Sequence, residues 1–209
     1  MLFRSAVCPE CGLSVSASDP VHRVGLAWQR HVTVPNLLTA IRALIVEPKK
    51  TFRSLRLDGS NWPDRVFLLV MLAVVMVIWT LVWHFYGFPD AWEWGLMATG
   101  AVFLLTHIEV LGVAFFSWRR GWRVPWRLSE RVACYAAIGW IPAVIIWSRL
   151  AITLWASWDD PWWWPKVFGQ PHPEGQQMVV MILAAATMMM FETLVWLAVR
   201  QVRFGNSVK

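Results

Sequence analysis

One long apolar stretch limits what this chain can fold into. Residues 66–83, VFLLVMLAVVMVIWTLVW, contain no charged side chain. A helix over this stretch is about 27 Å long, close to the thickness of the hydrocarbon core of a bilayer. The composition agrees, since 57% of the residues are hydrophobic and only 15% are charged. A soluble domain of this size does not bury that much apolar surface, so the sequence predicts an integral membrane protein.

Three further segments are long and apolar enough to cross a membrane with some tilt: about 94–118, 132–155 and 178–199. The predicted fold is therefore an all-α membrane protein, a four-span transmembrane helical bundle with a cytoplasmic interfacial amphipathic helix segment. This gives four regions: a cytoplasmic segment with a CxxC pair (1–33), interfacial amphipathic helices (34–64), the transmembrane bundle (65–200) and a cytoplasmic tail (201–209).

The positive charges predict the orientation of these spans. Seventeen of the 19 lysines and arginines lie before the first span, in segment 119–131 or after the fourth span. Lysine and arginine accumulate on the cytoplasmic side of membrane proteins, so both termini and segment 119–131 are expected there. The net charge of +6 therefore indicates orientation and affinity for anionic lipid on the cytoplasmic face, and no nucleic-acid partner is predicted.

The segment before the first span has the pattern of a surface helix. Its apolar residues fall on one helical face: Leu37, Leu38, Ile41, Leu44 and Ile45. Pro48 suits the first turn of a new helix, in which Phe52 and Leu55 lie opposite a basic face. We expect two short basic amphipathic helices on the cytoplasmic leaflet, as an anchor that orients the first span or as a regulated lipid sensor.

Two stretches resemble bacterial Yip-family membrane proteins. IVEPKKTFRSLR, which begins at Ile45, is similar to the opening of that family's membrane domain, with an apolar helix followed by a proline, charged residues and an aromatic. ERVACYAAIGWIPAVI, which begins at Glu130, is similar to a later span. The likeness covers roughly residues 35–200. It implies a multi-span bundle in the bacterial cytoplasmic (inner) membrane and little defined chemistry, although the family usually has five spans.

Four ionisable residues fall inside the predicted spans: His107, Glu109, Arg149 and Glu192. Glu109 and Glu192 both lie about 5 Å to the cytoplasmic side of the midplane, a depth at which the second and fourth spans can meet. An ionised carboxylate is costly there, so both are expected to face the bundle interior, protonated or hydrogen-bonded. They fit interhelical hydrogen bonding or a proton or cation path. Arg149 is expected to extend outward as a packing residue.

Cys8 and Cys11 form a CxxC pair typical of half a zinc ribbon. A closed zinc site needs four ligands, and His22 and His31 stand at looser spacings than zinc fingers use. The pair is thus either a zinc site, completed by these histidines or by a second chain, or the remnant of a longer ribbon. No other cofactor is predicted.

These patterns lead to one principal function and one alternative. The chain contains no Ser-His-Asp set, Gly-rich phosphate loop or HExxH motif, so it is predicted not to be an enzyme. The principal prediction is a membrane scaffold or an accessory subunit of a larger membrane complex, binding lipid and other membrane proteins. The alternative is a small transporter or channel that uses Glu109, Glu192 and His107.

Overall fold

A computed structural model describes residues 23–56, 59–122, 124–148 and 173–202, without the side chains of 173–181 and 184. All the regular secondary structure in these ranges is helical, which confirms the all-α class. In chain order the helices are α1 (Ala27–Arg30), α2 (Val34–Val46), α3 (Pro48–Ser54), α4 (Trp62–Phe85), α5 (Ala91–Arg119), α6 (Trp126–Ser148) and α7 (Pro173–Val202).

Three of these helices, α4, α5 and α6, are long and apolar enough to cross a membrane. They correspond to the first three predicted spans, and they support a membrane location for the protein. The fourth predicted span falls within α7, a helix of 30 residues. A four-span bundle stays a prediction, as do the orientation of the termini and the interfacial position of segment 34–64.

Segment 34–54 forms the two predicted helices, and the second begins at Pro48 as expected. The Thr51 hydroxyl donates to the carbonyls of both Ala43 and Glu47, at 2.9 Å each, and so ties α3 to the end of α2. Only part of the predicted apolar face of α2 is covered, because Leu44 is buried while Leu38 and Ile45 are exposed. In α3, Phe52 is fully buried, as is Leu55 just beyond its end.

Helix α6 differs in its limits from the predicted third span. It begins at Trp126, six residues before the predicted start, and residues after 148 lie outside the described part of the chain until 173. A 3-10 turn over Ala137–Gly139 interrupts it. Pro142 follows that turn, and its ring displaces the carbonyl four residues back, Ile138, for which it has no N–H donor. The proline therefore accounts for the local change of helical pitch.

The chain divides into two compact units. The described part of the first unit comprises residues 23–56, 59–69, 105–122, 124–136 and 194–202. Its core has a row of aromatic rings, in which Phe67 lies edge-on to Trp28 at 6.4 Å and against Tyr135 at 4.9 Å between ring centroids. Each of these side chains comes from a different helix, so the row joins α1, α4 and α6.

The described part of the second unit comprises residues 70–104, 137–148 and 173–193. Trp83 of α4 stacks on Trp94 of α5, with 5.2 Å between centroids and planes 9° apart. In the same unit, Trp140 of α6 stacks on Phe191 of α7 at 4.6 Å. Aromatic contacts thus hold neighbouring helices together in this unit.

Candidate functional site

A buried ion pair lies in the first unit, where α4 and α6 begin. Arg131 Nε donates to Asp64 Oδ2 at 2.6 Å, and the two side chains are 3% and 1% exposed. Two opposite charges can remain in such a dry position only when they are paired and further hydrogen-bonded. Gln29 Nε2 donates to the other carboxylate oxygen at 3.1 Å, so both oxygens of Asp64 are engaged.

The remaining donors of Arg131 hold the chain between α3 and α4. Nη1 donates to the carbonyl of Arg56, and Nη2 donates to Asn61 Oδ1 at 2.8 Å and to the carbonyl of Ser60 at 3.3 Å. The Gln29 side-chain oxygen accepts the backbone N–H of Arg56 at 3.1 Å on the other side. The guanidinium therefore fixes the connecting segment against the first turns of α6.

A second charged group lies next to this pair, closer to the surface. Arg65 Nε donates to Glu130 Oε1 at 2.6 Å, and its Nη2 is 3.3 Å from Oε2. Asn61 Nδ2 donates to the same carboxylate at 2.9 Å and to the carbonyl of Arg127 at 3.0 Å. Asn61 thereby joins both ion pairs, since its amide oxygen accepts from Arg131.

These groups border a cavity of about 470 Å³ in the first unit. Its walls combine charge with aromatic surface, from Asn61, Trp62, Arg65, Trp126, Arg127 and Glu130. Trp62 and Trp126 are the first residues of α4 and α6 and are 65% and 50% exposed. The volume lies within the range of small-molecule sites, about 300–1,000 Å³.

Another buried cation lies at the end of α7 in the same unit. Arg23 is 7% exposed, and its Nη2 donates to the carbonyl of Gln201 at 3.2 Å. Its Nε and Nη1 have no hydrogen-bond acceptor among the described residues. Burial lowers the pKa of Arg23, and the positive charge of Arg53 lowers it further.

Three of the four predicted intramembrane polar residues belong to the described chain. His107 and Glu109 are half-buried on α5 in the first unit, and each makes a polar or electrostatic contact. His107 is close enough to Glu130 to interact with it electrostatically. Glu192 is half-buried on α7 in the second unit, and Arg149 lies outside the described residues. Phe116 of α5 lies against Trp196 of α7 in the first unit, with 6.5 Å between ring centroids, so these two helices meet there. A contact between Glu109 and Glu192 stays a prediction.

The predicted zinc ligands fall mostly outside the described residues. Cys8, Cys11 and His22 lie there, whereas His31 directly follows α1 and is exposed. Within the described ranges, no group of three or more His, Cys, Asp or Glu side chains is arranged to hold a metal. The zinc site at Cys8 and Cys11 stays a prediction.

The residues at the centre of this site, Asp64 and Arg131, were not among the predicted functional residues. Arg131 counted only as one positive charge in a basic segment, and Asp64 fell in the polar approach to the first span. A usable signal was present, because Arg131 directly precedes the apolar run VACYAAIGW. A charge so close to an uninterrupted apolar stretch marks a residue to examine for a buried partner, although it does not identify that partner.

Comparison with known proteins gives no relative for this chain. No protein-family model, no curated protein and no solved structure matches it. The resemblance to the Yip family thus stays a prediction based on the stretches that begin at Ile45 and Glu130.

Proposed function

We propose that this protein is a non-enzymatic membrane scaffold or an accessory subunit of a larger membrane complex, which binds lipid and other membrane proteins. It crosses the bacterial cytoplasmic membrane four times, with both termini and segment 119–131 in the cytoplasm. Its cytoplasmic end, in this proposal, is a rigid platform on which α2 and α3 lie at the lipid surface.

The observation that carries the proposal is the buried pair of Arg131 and Asp64. The hydrogen bonds described for both side chains go to protein groups of the first unit, most of them in the segment that connects α3 to α4. Charges used in this way fix backbone geometry and position neighbouring helices. Such rigidity suits a surface that must present a constant shape to lipids and partner proteins.

The surface of α2 supports its placement on lipid. Leu38 and Ile45 are 61% and 66% exposed, although both are large apolar residues. Val34 and Val46 at the two ends of the helix are 70% and 66% exposed. An amphipathic helix with uncovered apolar residues and basic neighbours gains free energy by partial insertion into a leaflet.

The length of α7 supports a fourth span. Its 30 residues give a helix of about 45 Å, longer than the hydrocarbon core of a bilayer. An even number of spans places both termini on one side, in agreement with the distribution of lysine and arginine.

A small transporter or channel is the competing function. The observation that favours it is that His107, an ionisable side chain of α5, lies within electrostatic range of Glu130 near the start of α6. Transport further requires that Glu109 and Glu192 exchange protons or cations with solvent.

Co-purification of partner proteins tests the scaffold. Tagged protein is purified from its native membrane in a mild detergent, and co-migrating proteins are identified by mass spectrometry, with an unrelated tagged four-span protein as the control. We expect one or more membrane proteins to co-purify in fixed stoichiometry with this chain and to be absent from the control.

A second measurement tests the orientation. Arg123→Cys should be labelled from the cytoplasmic side and a cysteine at Gln170 from outside. Labelling of Arg123→Cys in intact cells would refute the orientation.

A further inference from the structure

We infer that the cavity between the starts of α4 and α6 binds the phosphodiester headgroup of an anionic phospholipid. The inference rests on the proposed membrane position and adds to it a lipid class and a defined site. Its support comes from the charge balance of the walls, the two tryptophans at the mouth and the position of the cavity on the spanning helices.

The charge balance of the cavity favours a ligand with one negative charge. Arg65 is already paired with Glu130, because it donates to that carboxylate from both Nε and Nη2. Arg127 has no carboxylate partner among the described residues, and its side chain is exposed. The described walls thus carry two positive charges and one negative charge, and a phosphodiester carries the single negative charge that balances them. A guanidinium binds phosphate oxygens through two parallel N–H donors.

The helix ends add to this positive potential. Both α4 and α6 begin at the cavity, with Trp62 and Trp126 as their first residues. The amino end of a helix carries a partial positive charge that attracts anions. Free backbone N–H groups add little at α4, because its second residue, Pro63, has none. At α4 the N–H of Trp62 already donates to Ser60 Oγ at 3.1 Å, which leaves the hydroxyl hydrogen of Ser60 as a donor for a ligand.

The tryptophans identify the ligand as a lipid rather than a soluble phosphate. Trp62 and Trp126 are largely exposed beside the cavity, an arrangement unfavourable in water and typical of side chains at headgroup depth. Both belong to helices that are long and apolar enough to cross the membrane, so a headgroup in the cavity leaves its acyl chains free to run along them. The leaflet on the basic side of the protein is also the one rich in anionic lipid.

The test measures lipid binding by the purified, delipidated full chain. Native mass spectrometry in a neutral detergent follows titration with phosphatidylglycerol, and with phosphatidylcholine for comparison. Arg127→Gln is compared with Arg119→Gln, which removes the same charge from the exposed last residue of α5. We expect one phosphatidylglycerol per wild-type chain, bound about tenfold more weakly by Arg127→Gln because a charge-assisted bond is lost. Arg119→Gln should bind within about twofold of the wild type.

Three outcomes would overturn the inference: equal weakening in both variants, which indicates general charge attraction; no weakening in Arg127→Gln; or displacement of the lipid by glycerol phosphate at the same concentration, which indicates a soluble ligand. If Arg127→Gln has an altered melting temperature, Arg127→Lys, which keeps the charge without the two-donor geometry, is measured instead and should bind with intermediate affinity. No partner protein is present in this assay. A failure to co-purify partners would therefore contradict the scaffold without changing the lipid-binding result.

Discussion

Both units of this protein use aromatic packing, but the ion pairs of the described residues all lie in the first unit. In the first unit, ion pairs and side-chain bonds to backbone carbonyls join helix starts and connecting segments, with Arg131 and Asp64 at the centre. In the second unit, stacked rings join the helices, as in Trp83 on Trp94 and Trp140 on Phe191. Charged groups cost less near a membrane surface than in hydrocarbon, which agrees with the proposed position of the helix starts in the first unit.

The spanning helices also differ in what they face. In the most apolar window of α6, 72% of residues are buried within the protein, against 22% in that of α5. Each residue from Arg131 to Trp140 is buried, and Arg131 is the only charged residue in that stretch. The central part of α6 is therefore covered by protein, whereas the described chain leaves most of α5 uncovered. Both helices are apolar in composition, so the sequence does not reveal that one is buried in protein to a greater extent than the other.

The largest expected effect comes from breaking the buried pair in the first unit. Arg131→Gln leaves Asp64 charged and buried without its partner, and we expect a loss of about 3–5 kcal/mol in the free energy of unfolding. The measurement is unfolding in mixed micelles, followed by circular dichroism. Two bonds to backbone carbonyls are lost as well, which adds to the effect.

A double variant separates the cost of the unpaired Asp64 charge from the cost of the lost bonds to backbone carbonyls, which both variants lose. Asp64→Leu/Arg131→Met removes both charges, so we expect it to lose less stability than Arg131→Gln alone. Arg131→Gln within about 1 kcal/mol of the wild type would show that the pair does not hold the first unit together.

The second unit is expected to respond to volume rather than to charge. A Cβ atom at Gly95 would overlap Thr80 Oγ1 and lie 3.1 Å from the carbonyl of Met76, so α4 and α5 meet closely there. Gly95→Ala should cost about 1–3 kcal/mol, because overpacking forces the helices apart. Gly100→Ala is the matched control, since a Cβ there meets nothing within 4 Å and the helix is the same. Equal stability of the two variants in thermal unfolding would contradict the close approach.

The sequence predicted the helices more successfully than the site. Periodicity and proline placement were sufficient for α2 and α3, because a surface helix repeats every 3.6 residues and Pro48 favours a helix start. The length of the apolar stretches was sufficient for the three long apolar helices.

The ion pair between Asp64 and Arg131 could not be predicted from the sequence, because the two residues are 67 positions apart and meet only after α4 and α6 pack. The start of α6 was placed too late for the same reason. Its first turns contain the exposed Arg127 together with Glu130 and Arg131, and the last two charges are acceptable there only because the folded chain supplies their partners. Gly95 was likewise undetectable, since its role depends on the side chain it faces across another helix.

The smallest expected effect concerns the half-buried acids, one in each unit. If Glu109 and Glu192 are hydrogen-bonding groups, Glu→Gln keeps a donor and acceptor and removes only the ability to ionise. Each change should then cost less than about 1 kcal/mol, the scale of an interhelical hydrogen bond in a membrane. Glu→Leu should cost more, because it leaves a polar partner unpaired in an apolar setting. Thermal stability in detergent is measured beside ion flux in liposomes. Flux in the wild type that disappears in an equally stable Glu109→Gln/Glu192→Gln variant would establish the transporter in place of the scaffold.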